Sequence, residues 1–117
     1  MSYKKGFTAR IATTYDKNIG DLGAANQFND IDLSSIVPAG AKAILIRGDM
    51  TSSTAREGAI FKQANQNGYA LLAQCVVASQ KLDFQGFVPC NSGRVISVYR
   101  DPTTVTGLSF AVIGWII

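Results

Sequence analysis

The sequence has 117 residues, 47% of them hydrophobic and 16% charged, with a formal net charge of +3 and no histidine. That length suits one domain whose core buries roughly 65% of the surface the unfolded chain exposes. The composition excludes a disordered chain, which needs high charge and few apolar residues.

Residues 1–6 have no pattern of their own and are expected to form an N-terminal arm, leaving 7–117 as a single domain. From Phe7 to Thr14, Phe7, Ala9 and Ile11 alternate with Thr8 and Arg10, which predicts a half-buried strand. Tyr15 to Gln27 holds Asp16, Asn18, Gly20, Asp21, Gly23 and Asn26, residues that favour turns and loops. Phe28, Asp30 and Asp32 alternate against Asn29, Ile31 and Leu33 in a short strand ended by Ser34-Ser35. Val37-Pro38-Ala39-Gly40 predicts a turn, with proline fixing φ and Gly40 free to take a positive φ. Ala41 to Met50 is a strand, mostly apolar on both faces until Arg47 and Asp49, and Thr51 to Gly58 is a polar connection.

Ala59–Ala64 and Tyr69–Ala78 are strands joined by Asn65-Gln66-Asn67-Gly68, and Asn-Gly is the strongest short hairpin signal. Ser79–Lys81 turns the chain into a weaker strand, Leu82–Val88, which contains Gly86. A turn at Pro89–Gly93 leads to the strand Arg94–Arg100, Asp101-Pro102 breaks it, and Gly107–Ile117 closes the chain. About eight strands with turn signals every 8–12 residues or so, and no helix, predict an all-β antiparallel sandwich or barrel. Eight strands on this length fit a jelly roll, whose strand order the sequence does not reveal.

The missing residue types restrict the chemistry. Without histidine there is no Ser-His-Asp or Cys-His catalysis and no HExxH zinc site, and two cysteines cannot make a four-cysteine zinc site. We therefore expect no enzyme, no catalytic residue, no metal and no cofactor. Asp30 and Asp32 share one face of a strand, as paired carboxylates that hold calcium or move protons do, but the DxDxDG pattern is absent and a solvated face is the simpler reading. Asp16, Asn18 and Asp21 read the same way, as Asx residues making their own turns. Lys4, Lys5, Arg10 and Lys17 make the N-terminal end basic, yet no RNP-like aromatic pair or GxxG loop accompanies them, so no nucleic acid is expected as partner. Cys75 and Cys90 read as buried or half-buried thiols of a reducing compartment; the alternative, a disulfide between neighbouring strands, needs a register the sequence does not supply.

The longest apolar runs, Ala41–Ile46 and Ala111–Ile117, fall far short of the roughly 20 residues of a membrane span, and no apolar run follows Lys4-Lys5 as in a signal peptide. A soluble protein made in a cytosol, with no membrane partner, is expected. Three strands apolar on both faces are hard to cover in one small domain, and large exposed apolar patches mark interfaces. A homo-oligomer is therefore expected, with Ile44, Leu45, Ile46, Phe110, Val112, Trp115 and Ile117 as interface candidates. Tyr3, Tyr15, Tyr69, Tyr99 and Trp115 are the aromatic groups whose faces could stack on sugar rings. Trp115 reads as core or interface and Tyr15 and Tyr69, beside predicted loops, as the better sugar-facing aromatics; among loop residues, Asn18, Asp21, Asn65, Asn67 and Tyr69 are the sugar-binding candidates.

From Ile31 to Arg47 a short Asp-Leu-Ser strand, a Val-Pro-Ala-Gly-Ala corner and an apolar strand ending in arginine follow one another. The Asn-Gly hairpin, Asn91-Ser92-Gly93, Val95–Tyr99 and Val112-Ile113-Gly114-Trp115 come next. Over about Asp30 to Ile117 this order resembles the small β-sandwich modules of tailed-bacteriophage virion proteins, found in tail-fibre and head-associated proteins. The resemblance implies a virion protein made in the host cytoplasm. It implies a homo-oligomer, a trimer in the favoured form, that binds the major capsid protein or another virion protein as a decoration, cement or fibre-base protein. It supplies no catalytic residues. Tyr3, Lys4 and Lys5 of the arm are then the candidates for binding the particle, and the alternative is a receptor-binding module for a host surface glycan.

Overall fold

Alternation of apolar and polar residues builds nine strands and no α-helix among the residues described, which in this computed structural model are 6–101 and 104–117. Tyr3, Lys4 and Lys5 of the expected arm lie outside them. The strands are β1 (Phe7–Ala9), β2 (Lys17–Asn18), β3 (Phe28–Asp32), β4 (Ala43–Ser52), β5 (Gly58–Gln63), β6 (Tyr69–Gln74), β7 (Leu82–Pro89), β8 (Val95–Arg100) and β9 (Val105–Ile116). A 3-10 turn, Ile19–Asp21, follows β2.

Two antiparallel sheets result. One has the order β1-β9-β4-β7, with β2 also pairing β9; the other has the order β3-β8-β5-β6. The chain is in effect one long hairpin with its apex between β5 and β6, pairing β4 with β7, β3 with β8 and β1 with β9. Rolled on itself, it brings β4 onto β9 and β5 onto β8. Counting β1 and β2 as two pieces of one interrupted strand, this is the eight-stranded jelly-roll order of two Greek keys. The ninth strand is Lys17–Asn18, inside the segment expected to be loop.

Side chains facing inward fill the space between the sheets. Phe61 on β5 reaches across to Phe84 on β7 and Phe110 on β9, with ring centroids 5.3 and 5.8 Å apart. Ile44, Ile46 and Met50 of β4 and Ile96 and Val98 of β8 complete the centre. The outward positions of β4 are Ala43, Leu45, Arg47, Asp49 and Thr51, none of them fully buried.

Strand β9 breaks the simple alternation twice. Leu45 pairs Gly114 but Ile46 pairs Val112, and Thr51 pairs Gly107 but Ser52 pairs Val105, so Ile113 and Thr106 are extra residues bulged from the ladder. The first bulge changes the parity. Phe110 and Val112 point inward before it, Trp115 after it, and Ile117, just past the strand, also packs on the core. This corrects most of the expected interface. Ile44, Ile46, Phe110 and Val112 are 0% exposed and already covered by their own chain, and Trp115 and Ile117 pack half-buried on the same core. Of the seven candidates, Leu45 alone lies on the outer face of a sheet.

The gap between β1 and β2 is closed by an ion pair. The chain leaves the sheet after Ala9 and returns at Lys17, which leaves Val112 of β9 without a strand partner there. Arg10 Nη1 donates to the Val112 carbonyl at 2.8 Å, and the Val112 N–H donates to Asp16 Oδ2 at 2.7 Å. Arg10 and Asp16 bind each other at 2.8 Å, so two side chains replace one residue's worth of main-chain ladder.

Candidate functional site

The outer face of β3-β8-β5-β6 carries the most developed surface feature. Strand register places Phe28, Tyr99, Ile60 and Leu72 in one row across all four strands. The next row is Asp30, Ser97, Lys62 and Tyr69. The Phe28 ring lies 5.5 Å from Tyr99 and 5.9 Å from Tyr69, and the Lys62 ammonium sits 4.1 Å over it. Tyr69 is 59% exposed and Leu72 63%. The platform is thus apolar on its face and polar at its rim. Asp30, beside it, accepts a hydrogen bond from the Ser97 hydroxyl, and the Tyr99 hydroxyl donates to Asn26 Oδ1 at 3.1 Å.

Alongside the apolar row a recess of about 210 Å³ opens among Arg56, Ile60, Leu72, Gln74, Tyr99 and Asp101. Asp101 Oδ2 accepts the Gly58 N–H at 2.6 Å. A hydrogen bond to Asp101, then that residue's charge, push the Glu57 carboxyl above its ordinary pKa. Partial desolvation, then the nearby Asp101, pushes the Tyr99 phenol up.

The outer face of β1-β9-β4-β7 is drier. The Phe7 ring lies over Gly114, where any β-carbon would come within 2.3 Å of it. Phe7 meets Phe87 of β7 edge-on, with centroids 6.1 Å apart. Phe7 is 52% exposed, Phe87 43% and Ile11 92%. A shallow recess of about 400 Å³ runs beside them among Ile11, Leu45, Arg47 and Ile113. Towards the far end of this face Tyr15 donates to Asp49, and Lys81 pairs with the same carboxylate at 3.2 Å. Each group's own hydrogen bond to Asp49 pushes the Tyr15 phenol and the Lys81 ammonium up.

The sugar-binding candidates separate into two groups. Asn65 and Asn67 lie in the β5–β6 turn, and Tyr69 opens β6 on the aromatic platform. Asn18 and Asp21 belong to β2 and the 3-10 turn, against the other sheet, and are occupied locally. The Asn18 N–H donates to Asp21 Oδ2 at 2.9 Å, and Asn18 Oδ1 accepts the Ser109 hydroxyl at 2.9 Å. Phe28, Ile60, Lys62 and Leu72 were not singled out from sequence. The signal was present in the phase of Phe28, which shares its face with Asp30 and Asp32, but only the register of β3 on β8 sets it beside Tyr99.

Both aspartates of β3 are exposed on one face; Asp32 accepts the Ser34 N–H at 2.8 Å, which holds its carboxyl below the ordinary pKa. Cys75 and Cys90 are free thiols, 1% and 7% exposed. Among the described residues no three histidine, cysteine, aspartate or glutamate side chains converge as metal ligands do. No protein-family model and no curated protein matches this chain.

Proposed function

We propose that this chain is a structural protein of a tailed-phage particle, a jelly-roll module that self-associates as a trimer and binds the virion surface as a decoration or fibre-base protein. The observation that carries the reading is the apolar patch of Phe7, Ile11, Leu45 and Phe87 on the outer face of β1-β9-β4-β7. Covering such a patch with another subunit removes it from water, and a standard interface of about 800 Å² per partner is enough for specificity. The Val-Pro-Ala-Gly-Ala corner and the strand order after it supply the link to virion modules. Repetition on a symmetric particle then multiplies weak contacts into a durable layer.

The test is co-sedimentation of purified protein with heads and with tails of the phage that encodes it. Saturable binding at copy numbers matching the capsid lattice supports decoration. A few copies, or binding to tails alone, moves the protein to an attachment role. No binding to either sinks the virion assignment.

The aromatic platform favours a second reading, recognition of a host surface glycan. Aromatic faces stack on the C–H faces of sugar rings, and Lys62, Gln74 and Asp101 at the rim offer hydrogen bonds to hydroxyls. Binding on a glycan array that disappears with Tyr69→Ala supports this role, and an array with no binding excludes it.

A further inference from the structure

A sheet that is not closed has edges, and each edge exposes main-chain donors and acceptors to any passing strand unless something blunts it. This protein has four edges, and three are defended. The β1/β2 edge is interrupted between Ala9 and Lys17. Strand β3 carries Asp30 and Asp32, and β7 carries Asp83, Gly86 and Pro89. Strand β6 is unbroken and has no charge, glycine or proline; its one irregularity is the bulged residue Ala70, towards its start and two residues before Leu72. No charged residue and no proline occurs between Lys62 and Lys81. Within that stretch Tyr69, Leu72, Val76 and Val77 are 59%, 63%, 75% and 58% exposed. Four of the eight large exposed hydrophobics among the described residues therefore lie on this edge and the segment after it.

The direction of the free main-chain groups follows from the ladder. Gly58 both donates to and accepts from Asp101, so its main chain faces β8. Gly58 pairs Gln74 in register, so Gln74 and, two residues back, Leu72 turn their N–H and C=O away from β5. The intervening Ala73 and Leu71 bond to β5 in their place.

We infer that β6 is a pairing edge and that its occupant is β6 of a second copy, laid antiparallel about a two-fold axis near Leu72. A strand paired antiparallel with itself is two-fold by construction, so the two copies satisfy each other with one patch. Centred on Leu72, the pairing sets Leu72 opposite itself, Ala70 opposite Gln74 and Leu71 opposite Ala73. Every cross-strand pair is uncharged and mostly apolar, the combination that stabilises a sheet without repulsion. Two four-stranded sheets become one of eight strands, and the two aromatic platforms come to lie on one continuous face. The inference requires only that the chain meet itself; it does not depend on the phage assignment or on the patch around Phe7.

The test is sedimentation equilibrium from ~1 µM to ~1 mM on the full chain, Leu72→Lys and Phe87→Ser, with amide exchange at Leu72 and Gln74. Leu72 is exposed, so lysine there leaves the core intact while placing like charges opposite each other across the axis. The expected result is a two-fold association in the wild type that weakens about tenfold or more in Leu72→Lys and survives Phe87→Ser. The Leu72 and Gln74 amides gain protection as concentration rises. A wild type that stays monomeric at ~1 mM overturns the inference, as does Leu72→Lys associating like the wild type, or amides whose exchange ignores concentration. Association that is lost in Phe87→Ser and kept in Leu72→Lys assigns assembly to the other sheet and also refutes it.

Discussion

Adjacent residues of β4 give a sharp test of which face is which. Ile46 is fully buried and Leu45 is half-buried on the outer surface, although the sequence reads them as one apolar run. Ile46→Ala deletes three carbons from a packed interior and leaves a cavity, a change that costs about 2–5 kcal/mol. Leu45→Ala deletes three carbons that are half in water; at ~0.8 kcal/mol per buried methylene this costs about 1 kcal/mol and leaves no enclosed void. Against a total stability of order 5–15 kcal/mol, the first substitution removes a large share and the second little. Urea unfolding, followed by the fluorescence of the sole tryptophan, Trp115, reads both. With a slope of ~1–3 kcal/mol per molar urea, Ile46→Ala should lower the midpoint by about 1–3 M and Leu45→Ala by less than about 1 M. Equal shifts, or a larger one for Leu45→Ala, would mean that β4 is paired one residue out of register, because such a slip exchanges the two faces.

Gly40 has φ +92° in the corner before β4, so Gly40→Ala should cost about 1 kcal/mol in urea titration, whereas Gly68→Ala, at a site with ordinary φ and open space, should change little. Arg10→Ala and Asp16→Ala each remove a partner of the Val112 main chain; each should cost about 1–3 kcal/mol and speed Val112 amide exchange, and an unchanged rate would refute the bridging role. Glu57 binds its proton more tightly folded than unfolded, so stability should fall as pH rises through its raised folded pKa. Glu57→Gln should remove that fall, raising the thermal midpoint at pH 7 and leaving it unchanged below the ordinary carboxylate range; a variant that follows the wild type across pH refutes the effect of Asp101 on Glu57. Cys75 and Cys90 should resist iodoacetamide in the native protein and react on unfolding, with the Cys90 thiol further slowed because burial pushes its pKa up.

Strand existence is local information, and each of the eight segments recognised by alternation and turn residues contains a strand. Strand ends and faces are not local. The expected strand from Phe7 to Thr14 stops at Ala9, because Arg10 and Asp16 bind β9 through their side chains and the residues between loop out. Turn chemistry was legible in place but not always in residue. Gly40 takes the positive φ expected of it, but in the β5–β6 hairpin Asn65 does so at +63° and Gly68 does not. The Gln66 N–H donates to the Gln63 carbonyl at 3.3 Å, a turn around Ala64-Asn65, and Asn67-Gly68 is a bend that leads into β6. The β9 faces were illegible because a bulge carries no composition signal, and one extra residue reverses every side chain after it. The aromatic platform was half legible. Tyr69 and Tyr99 stand out by type, but Phe28 joins them only through pairing between strands at opposite ends of the sequence.

The two outer faces differ in a way that suits them to different ones of the two proposed roles. On β1-β9-β4-β7 the exposed groups around Gly114 are aliphatic and phenyl, with Arg47 at the margin. Such a surface gains by losing water and has few hydrogen bonds to lose, which suits a permanent contact with another protein subunit. On β3-β8-β5-β6 the aromatic row is bordered by Lys62, Asp30, Gln74 and Asp101, whose charges and amide would have to be desolvated or paired in a dry interface. A hydrated polyhydroxyl ligand satisfies those groups without burying them, and stacks on the rings between. The split therefore makes a double dissociation. Phe87→Ser should disturb the trimer contact proposed for this face and leave glycan binding and the pairing through β6 alone, and Tyr69→Ala should abolish glycan binding and leave that trimer contact alone; a single substitution that abolishes both would mean that one face carries both functions and that the division by chemistry is wrong.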